Sequence, residues 1–229
     1  MDVYIPREEG DLLYSLVRWL RPRTTIEVGL ANGLSALFIG AALEENGAGR
    51  HIAMDPFQRT EWGGAGLELL RGAGLGGRVE LHELCSHQAL PRLELEGVRA
   101  QFAFVDGAHL FDYVLTDFLC LDRVMDVGGV IAFDDSDWPA VRGAIRYILA
   151  NREYEVLAGL PAIEGRRPSP ALGSRVLRRV AGWWAKLGEK LRADFVVPDE
   201  ELGIRGRCVV LRKVSEDVRD SQSRCHVAF

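Results

Sequence analysis

A doubly wound α/β fold, with a mostly parallel sheet of seven strands and helices on both faces, follows from two patterns in the 229-residue sequence. Short apolar runs alternate with longer stretches of helical spacing along most of the chain. Such alternation gives βα units joined by right-handed crossovers. The runs are apolar on both sides, as strands covered on two faces must be. The composition agrees, because 48% hydrophobic residues suffice for one large core.

The elements follow in order. "EEGDLLYSLVRWLRP" predicts an amphipathic helix, with Leu12, Leu13, Leu16, Val17 and Leu20 on one face and Pro22 after its end. "TTIEVG" is a first strand and "GLSALFIGAALEEN" the helix behind it. "GRHIAMDPF" is a second strand, ending at Asp55, and "GAGLELLRGAGL" is helical with a Gly-rich exit. "RVELHEL" and "QFAFVDGAH" are the third and fourth strands, the latter leading into the helix "FDYVLTDFLCLDRV". "GGVIAFDD" is the fifth, before the helix "WPAVRGAIRYILAN", which Ser136 or Asp137 is placed to cap. "YEVLAGL" and "RCVVLRKV" complete the set.

One domain is expected, with a cap helix over residues 1–22, a core over 24–160, an insertion over 161–195, a final strand region over 196–214 and a polar tail over 215–229. The insertion opens as a loop and continues as "RVLRRVAGWWAKLGEKLR", apolar at helical spacing on one face and basic on the other. A helix of this kind serves as a lid or dimer element, the commoner case, or lies on a membrane surface through residues 175–192. A homo-oligomer built through the amphipathic helices near both ends stays open.

The net charge of −5 argues against a nucleic-acid partner. The acidic, polar start is no signal peptide, and no run of 18 apolar residues occurs. Cys85, Cys120, Cys208 and Cys225 show no paired spacing, so free thiols and a cytoplasmic location are expected.

In a doubly wound sheet, ligands sit beyond the carboxyl ends of the strands. Acids end four of these strands: Glu27, Asp55, Asp106, and the pair Asp134 and Asp135. "EVGLANG" carries Gly29 and Gly33 as ExGxxxG, a turn that suits close approach of a ligand or tight packing of strand on helix. It lacks the GxGxxG of a pyrophosphate site, and an acid beside it would repel phosphate. Asp55, 22 residues beyond Gly33, stands where an acid accepts hydrogen bonds from ribose hydroxyls. Asp106, Asp134 and Asp135 converge, and three close carboxylates call for a compensating cation. All-oxygen ligands favour Mg²⁺. His109, three residues after Asp106, is a candidate base, and equally a residue that orders the loop. His87 reads as a helix-entry residue, and Trp62 as lining an acceptor pocket or covering the second strand.

These stretches together resemble the class I S-adenosylmethionine-dependent methyltransferases, whose sheet is Rossmann-like. "EVGLANG" looks like their first motif and "AMDPF" like their second. "FVDGAH" and "GGVIAFDD" look like the paired motifs of bacterial small-molecule O-methyltransferases of the macrocin type. The resemblance spans Thr24 to Tyr147. It implies S-adenosylmethionine as cofactor, with Glu27, Gly29, Ala31, Asn32, Gly33 and Ser35 around the methionine moiety. It further implies Asp55 at the ribose, Cys85 and Ser86 by the adenine, and Asp106 and Gly107 beside the cofactor. It maps a metal onto Asp106, Asp134 and Asp135. Catechol-type relatives carry a lysine base where His109 stands, whereas macrocin-type enzymes carry an acid where this chain has Ala108. The expected acceptor is a hydroxyl of a small molecule, a sugar or natural product. An NAD(P)-dependent oxidoreductase and a non-catalytic cofactor-binding relative stay open as alternatives.

Overall fold

The computed structural model describes residues 5–160, 199, 202–204 and 206–219. The basic helix expected over 175–192, Cys225 and most of the polar tail lie outside the described residues. The element order is α1 (Arg7–Leu20), β1 (Thr24–Val28), α2 (Leu34–Asn46), β2 (Arg50–Met54), α3 (Ala65–Gly72), β3 (Val79–His82), α4 (Ser86–Leu95), β4 (Ala100–Val105), α5 (Phe111–Val124), β5 (Met125–Phe133), α6 (Pro139–Asn151), β6 (Tyr154–Leu160) and β7 (Cys208–Lys213). Helix α4 is the element that periodicity did not mark, because it is short and carries Pro91.

The strands form one seven-stranded sheet in the order β3-β2-β1-β4-β5-β7-β6. β1 to β5 pair in parallel, as βα units require. β7 runs antiparallel between β5 and β6. The chain therefore passes the centre of the sheet at β1 and β4, where the order reverses. That reversal opens the crevice in which such sheets bind ligands.

Strand alternation sorts the core into two faces. Ile26, Val28, Ala103, Val105, Ile131 and Phe133 face α4, α5 and α6. Phe102, Phe104, Val130 and Ala132 face α1 and α2. A smaller group, Leu30, Ala36, Ala53, Leu70 and Leu75, fills the space beneath α3. Phe102, Phe104, Phe118 and Phe133 are fully buried, each worth about 1.5–3 kcal/mol of transfer free energy. Helix α1 buries Leu13, Leu16 and Val17, as its spacing predicts, and ends at Arg21 in the left-handed region before Pro22. Helix α6 starts on Pro139, whose missing N–H costs nothing at the first turn. No side chain caps it, because the Ser136 hydroxyl donates instead to the Gly206 carbonyl at 2.7 Å.

Candidate active site at the strand ends

Ladder register sets the site. Val28 pairs with Met54 and with Val105, and Val105 pairs with Phe133. The residues one step further on, Asp55, Gly29, Asp106 and Asp134, therefore stand in a row. Backbone bonds continue into that row: Gly29 N–H donates to Met54 O at 2.9 Å, Asp106 N–H to Val28 O at 3.0 Å and Asp134 N–H to Val105 O at 3.1 Å.

Glu27 does not stand in the row. It faces α2 and is wholly buried. Its Oε1 accepts the Ser35 hydroxyl, and its Oε2 lies 2.9 Å from His51 Nε2, while His51 Nδ1 lies 2.8 Å from Thr25 Oγ1. Both oxygens are thus taken by groups on α2 and β2, which fastens the start of α2 to the sheet. Glu27 and Ser35 support the turn from beneath. His51, which sequence reading did not single out, is the third member, and its signal was a histidine inside an apolar strand.

The turn itself is held by Asp55. One oxygen accepts the Ala31 N–H at 2.8 Å, and the other accepts the Phe57 N–H at 2.8 Å. Gln58 ties the same loops, donating to Ala31 O at 2.9 Å and accepting the Gly66 N–H at 3.1 Å. Ala31, at φ 45°, and Gly33, at φ 80°, take left-handed backbone. Gly29 has φ 93°, and a Cβ there would meet the Asp106 carbonyl oxygen at 2.2 Å. Its glycine is required for the close approach of the β1 and β4 loops. Ala31, Asn32, Cys85, Ser86, Asp106, Gly107 and His109 are all half-buried around the same end of the sheet. Ser86 opens α4 and donates its hydroxyl to Asp117 Oδ1. Burial pushes Asp117 up to about 6, against the Ser86 hydrogen bond. His87 is exposed, and Trp62 is half-buried in the loop after β2.

The acidic end beyond β4 and β5 is more closely knit than its sequence shows. His109 Nε2 lies 3.2 Å from Asp106 Oδ1 and 3.4 Å from Asp135 Oδ2. Arg207, immediately before β7, reaches across the other side. Its Nη2 is 2.7 Å from Asp134 Oδ2, its Nη1 3.2 Å from Asp135 Oδ1 and its Nε 3.1 Å from Glu9 Oε2. The second Asp134 oxygen accepts the Asp135 N–H at 2.6 Å. Asp135 carries φ 47°, a strained left-handed conformation that turns its carboxylate between Arg207 and His109.

Charge follows from this arrangement. Burial pushes Asp106 up to about 7, His109 pulls it back, and Asp134 and Asp135 add to the rise. The hydrogen bond to Asp106 raises His109 above its ordinary 6.5 against the opposing effect of burial, with Asp135 and Asp134 assisting. Burial, then the charge of Asp134, pushes Glu9 up to about 9. Burial opposes the charge of Arg207, but Asp134, Asp135 and Glu9 outweigh it and hold the guanidinium firmly protonated. Neither Glu9 nor Arg207 was singled out from sequence. They come from the first helix and from the lead into the last strand, and nothing local marks them.

The three aspartates expected to hold Mg²⁺ do not fit it in this arrangement. A magnesium ion needs carboxylate oxygens converging on one point at about 2.1 Å. Here the Arg207 guanidinium fills the space between Asp134 and Asp135, and the His109 ring nitrogen that between Asp135 and Asp106, so the carboxylates converge on these groups and not on one open point. Among the described residues, no three His, Cys, Asp or Glu side chains are disposed to share an ion.

The fold is the Rossmann-like one of the class I methyltransferases, and comparison with known proteins agrees. Residues 26–136 match the family described as a methyltransferase domain. Caffeoyl-CoA O-methyltransferase 1 of Eucalyptus globulus is 28% identical over 131 residues, covering 57% of this chain and 52% of that protein. Tapetum-specific methyltransferase 1 of Arabidopsis thaliana is 32% identical over 137 residues, covering 58% and 55%. The chain thus spans about half the length of these curated relatives. Among solved structures, the O-methyltransferase TomG of Streptomyces achromogenes, determined with S-adenosylmethionine, superposes with a TM-score of 0.58 at 19% identity, over 93% of this chain and 83% of that one. No helix among the described residues is long and apolar enough to cross a membrane.

Proposed function

We propose that the chain is an S-adenosylmethionine-dependent O-methyltransferase acting on a hydroxyl of a small molecule. The observation that carries this reading is the turn from Gly29 to Gly33, pinned by Asp55 at the point where the strand order reverses. Asp55 Oδ2 accepts both the Ala31 N–H and, at 3.3 Å, the Gln58 amide, whereas Oδ1 accepts only the Phe57 N–H and keeps a lone pair suited to a ribose hydroxyl. The turn has no run of glycines to cradle a pyrophosphate, which disfavours a nicotinamide dinucleotide. In this reading Gly29, Ala31, Asn32 and Gly33 contact the methionine moiety, with Glu27 and Ser35 behind them. Cys85 and Ser86 would border the adenine, and Asp106 and Gly107 would stand beside the cofactor. The bound cofactor supplies a sulfonium methyl that is already a strong electrophile.

The protein's part is then to hold the acceptor oxygen in line and to take its proton. His109 is the group placed for the proton. Asp106 and Asp135 flank its Nε2, orient the ring and stabilise the imidazolium that forms. Asp106 acts with it as one unit, since the two share a hydrogen bond.

The acceptor class inherited from the resemblance is a sugar or natural-product hydroxyl. An aromatic hydroxyl is a second reading, favoured by the apolar rim. The His109 ring lies 5.2 Å from that of Trp138, which is 41% exposed, and Leu110 and Tyr113 nearby in sequence are exposed as well. One of the named relatives is a caffeoyl-CoA O-methyltransferase, which fits that second reading.

Calorimetric titration with S-adenosylhomocysteine, with NAD as control, tests the cofactor. Micromolar binding of the first and none of the second is expected, and the reverse would sink the proposal. A panel of sugars and phenols then separates the two acceptor classes. Binding without turnover across both would leave a non-catalytic relative.

A further inference from the structure

We infer that Arg207, together with His109, takes the place of a divalent cation at the acidic strand ends, so that the domain holds its site together without metal. The inference rests on the O-methyltransferase reading for its use, but on geometry alone for its substance.

Arg207 presents a planar fork, and the fork is fully used. Two of its nitrogens each bond one of two successive carboxylates, and the third bonds Glu9. This matching of guanidinium to carboxylates is the geometry in which arginine outperforms a point charge. His109 meets the remaining oxygen of Asp135 and reaches on to Asp106. One guanidinium and one imidazole therefore bridge three aspartates in one chain of contacts.

The backbone shows that Arg207 is built into this position. Ser136 N–H donates to the Arg207 carbonyl at 2.6 Å, and the Ser136 hydroxyl bonds the carbonyl of Gly206. Cys208, the next residue, is wholly buried in the sheet. The arginine is thus clamped on both sides to the loop that carries Asp134 and Asp135. Its side chain is 14% exposed, so withdrawing it would strand three buried carboxyl groups. A dication entering between the aspartates would have to displace this guanidinium or sit against it. The fixed cation offsets part of the cluster's charge permanently, where a bound ion would exchange with solvent. Arg207 is a positioning residue: it acts on the reaction through Asp135, which in turn orients His109.

The test uses Mn²⁺ as probe on the full chain, with uptake read from the loss of the free-ion paramagnetic resonance signal. Each titration is run with and without S-adenosylhomocysteine. The wild-type chain is expected to leave equimolar Mn²⁺ free, and EDTA is expected to leave its melting temperature unshifted. Arg207→Met, which removes the fixed charge and keeps the bulk, is expected to take up one Mn²⁺ per chain, with Mg²⁺ competing. Arg207→Lys, which keeps a charge, is expected to stay free of metal. Stoichiometric Mn²⁺ uptake by the wild type, abolished in Asp134→Asn, would overturn the inference, as would a folded Arg207→Met chain that binds no ion. If Arg207→Met does not fold, the wild-type titration still decides. Failure to bind S-adenosylhomocysteine would strike the functional reading alone, and Mn²⁺ uptake by a chain that does bind it would strike this inference alone.

Discussion

Replacing Glu9 by glutamine should stabilise the chain, and by more as pH rises. Glu9 sits wholly buried on α1, with its Oε2 on Arg207 and no donor aimed at its Oε1. Burial and the charge of Asp134 raise its folded value from 4.5 to about 9. Below the lower figure the acid is protonated in both states, and its contribution to stability is complete. Above it the unfolded chain releases a proton that the folded chain retains, so stability falls as pH climbs toward the folded value. Each pH unit in that window costs about 1.4 kcal/mol, which makes about 3 kcal/mol by neutrality. Glutamine has no proton to lose. Its carbonyl can accept from Arg207 Nε, and its amide can donate toward Asp134, as the protonated acid does. Urea denaturation of both chains between about pH 5 and pH 8.5 measures the difference, with equal slopes against urea as the control. The advantage of Glu9→Gln should widen steadily toward alkaline pH. An advantage that stays constant, or a wild type that gains on the variant, would refute the reasoning.

Two further outcomes are expected. If His109 takes the acceptor proton, the rate should rise with pH through a value above 6.5, because Asp106 holds the imidazole up; Asp135→Asn should move that limb to lower pH, and an unmoved limb would remove His109 from the role. Gly29→Ala should cost more than about 2 kcal/mol, since the left-handed backbone and the Asp106 carbonyl at 2.2 Å both oppose a Cβ; a melting temperature lowered by less than about 4 °C would show that the two loops can part.

Much of the fold was legible because strands buried on both faces read as short apolar runs, and their spacing left room for one helix each. The strand ends were legible for the same reason: an acid after an apolar run is conspicuous. What the sequence could not convey was pairing across long separations. Glu27 and Asp55 look alike as acids at strand ends, yet Glu27 lies inside its strand, two residues before the level of Asp55, and is closed in by α2 and His51, whereas Asp55 lies beyond its strand and holds the turn. The three aspartates suggested a metal because their counter-charge was out of sight. Arg207 is one arginine among many, and Glu9 reads as an ordinary first-turn acid of an amphipathic helix. The antiparallel return of β7 beside β5 brings Arg207 to the cluster, and the packing of α1 on the sheet brings Glu9; periodicity specifies neither.

That return also orders events in time. Synthesis lays down β1 to β5 with the aspartates first, and Arg207 only some seventy residues after Asp135. Until β7 enters the sheet, β5 stands as an exposed edge and the acids beneath it repel one another. Insertion of the last strand seals the edge and brings the guanidinium to the acids in one act. The stretch that matches the methyltransferase family, 26–136, therefore contains neither Glu9 nor Arg207, and as an isolated fragment it would have the site's acids without what makes them tolerable.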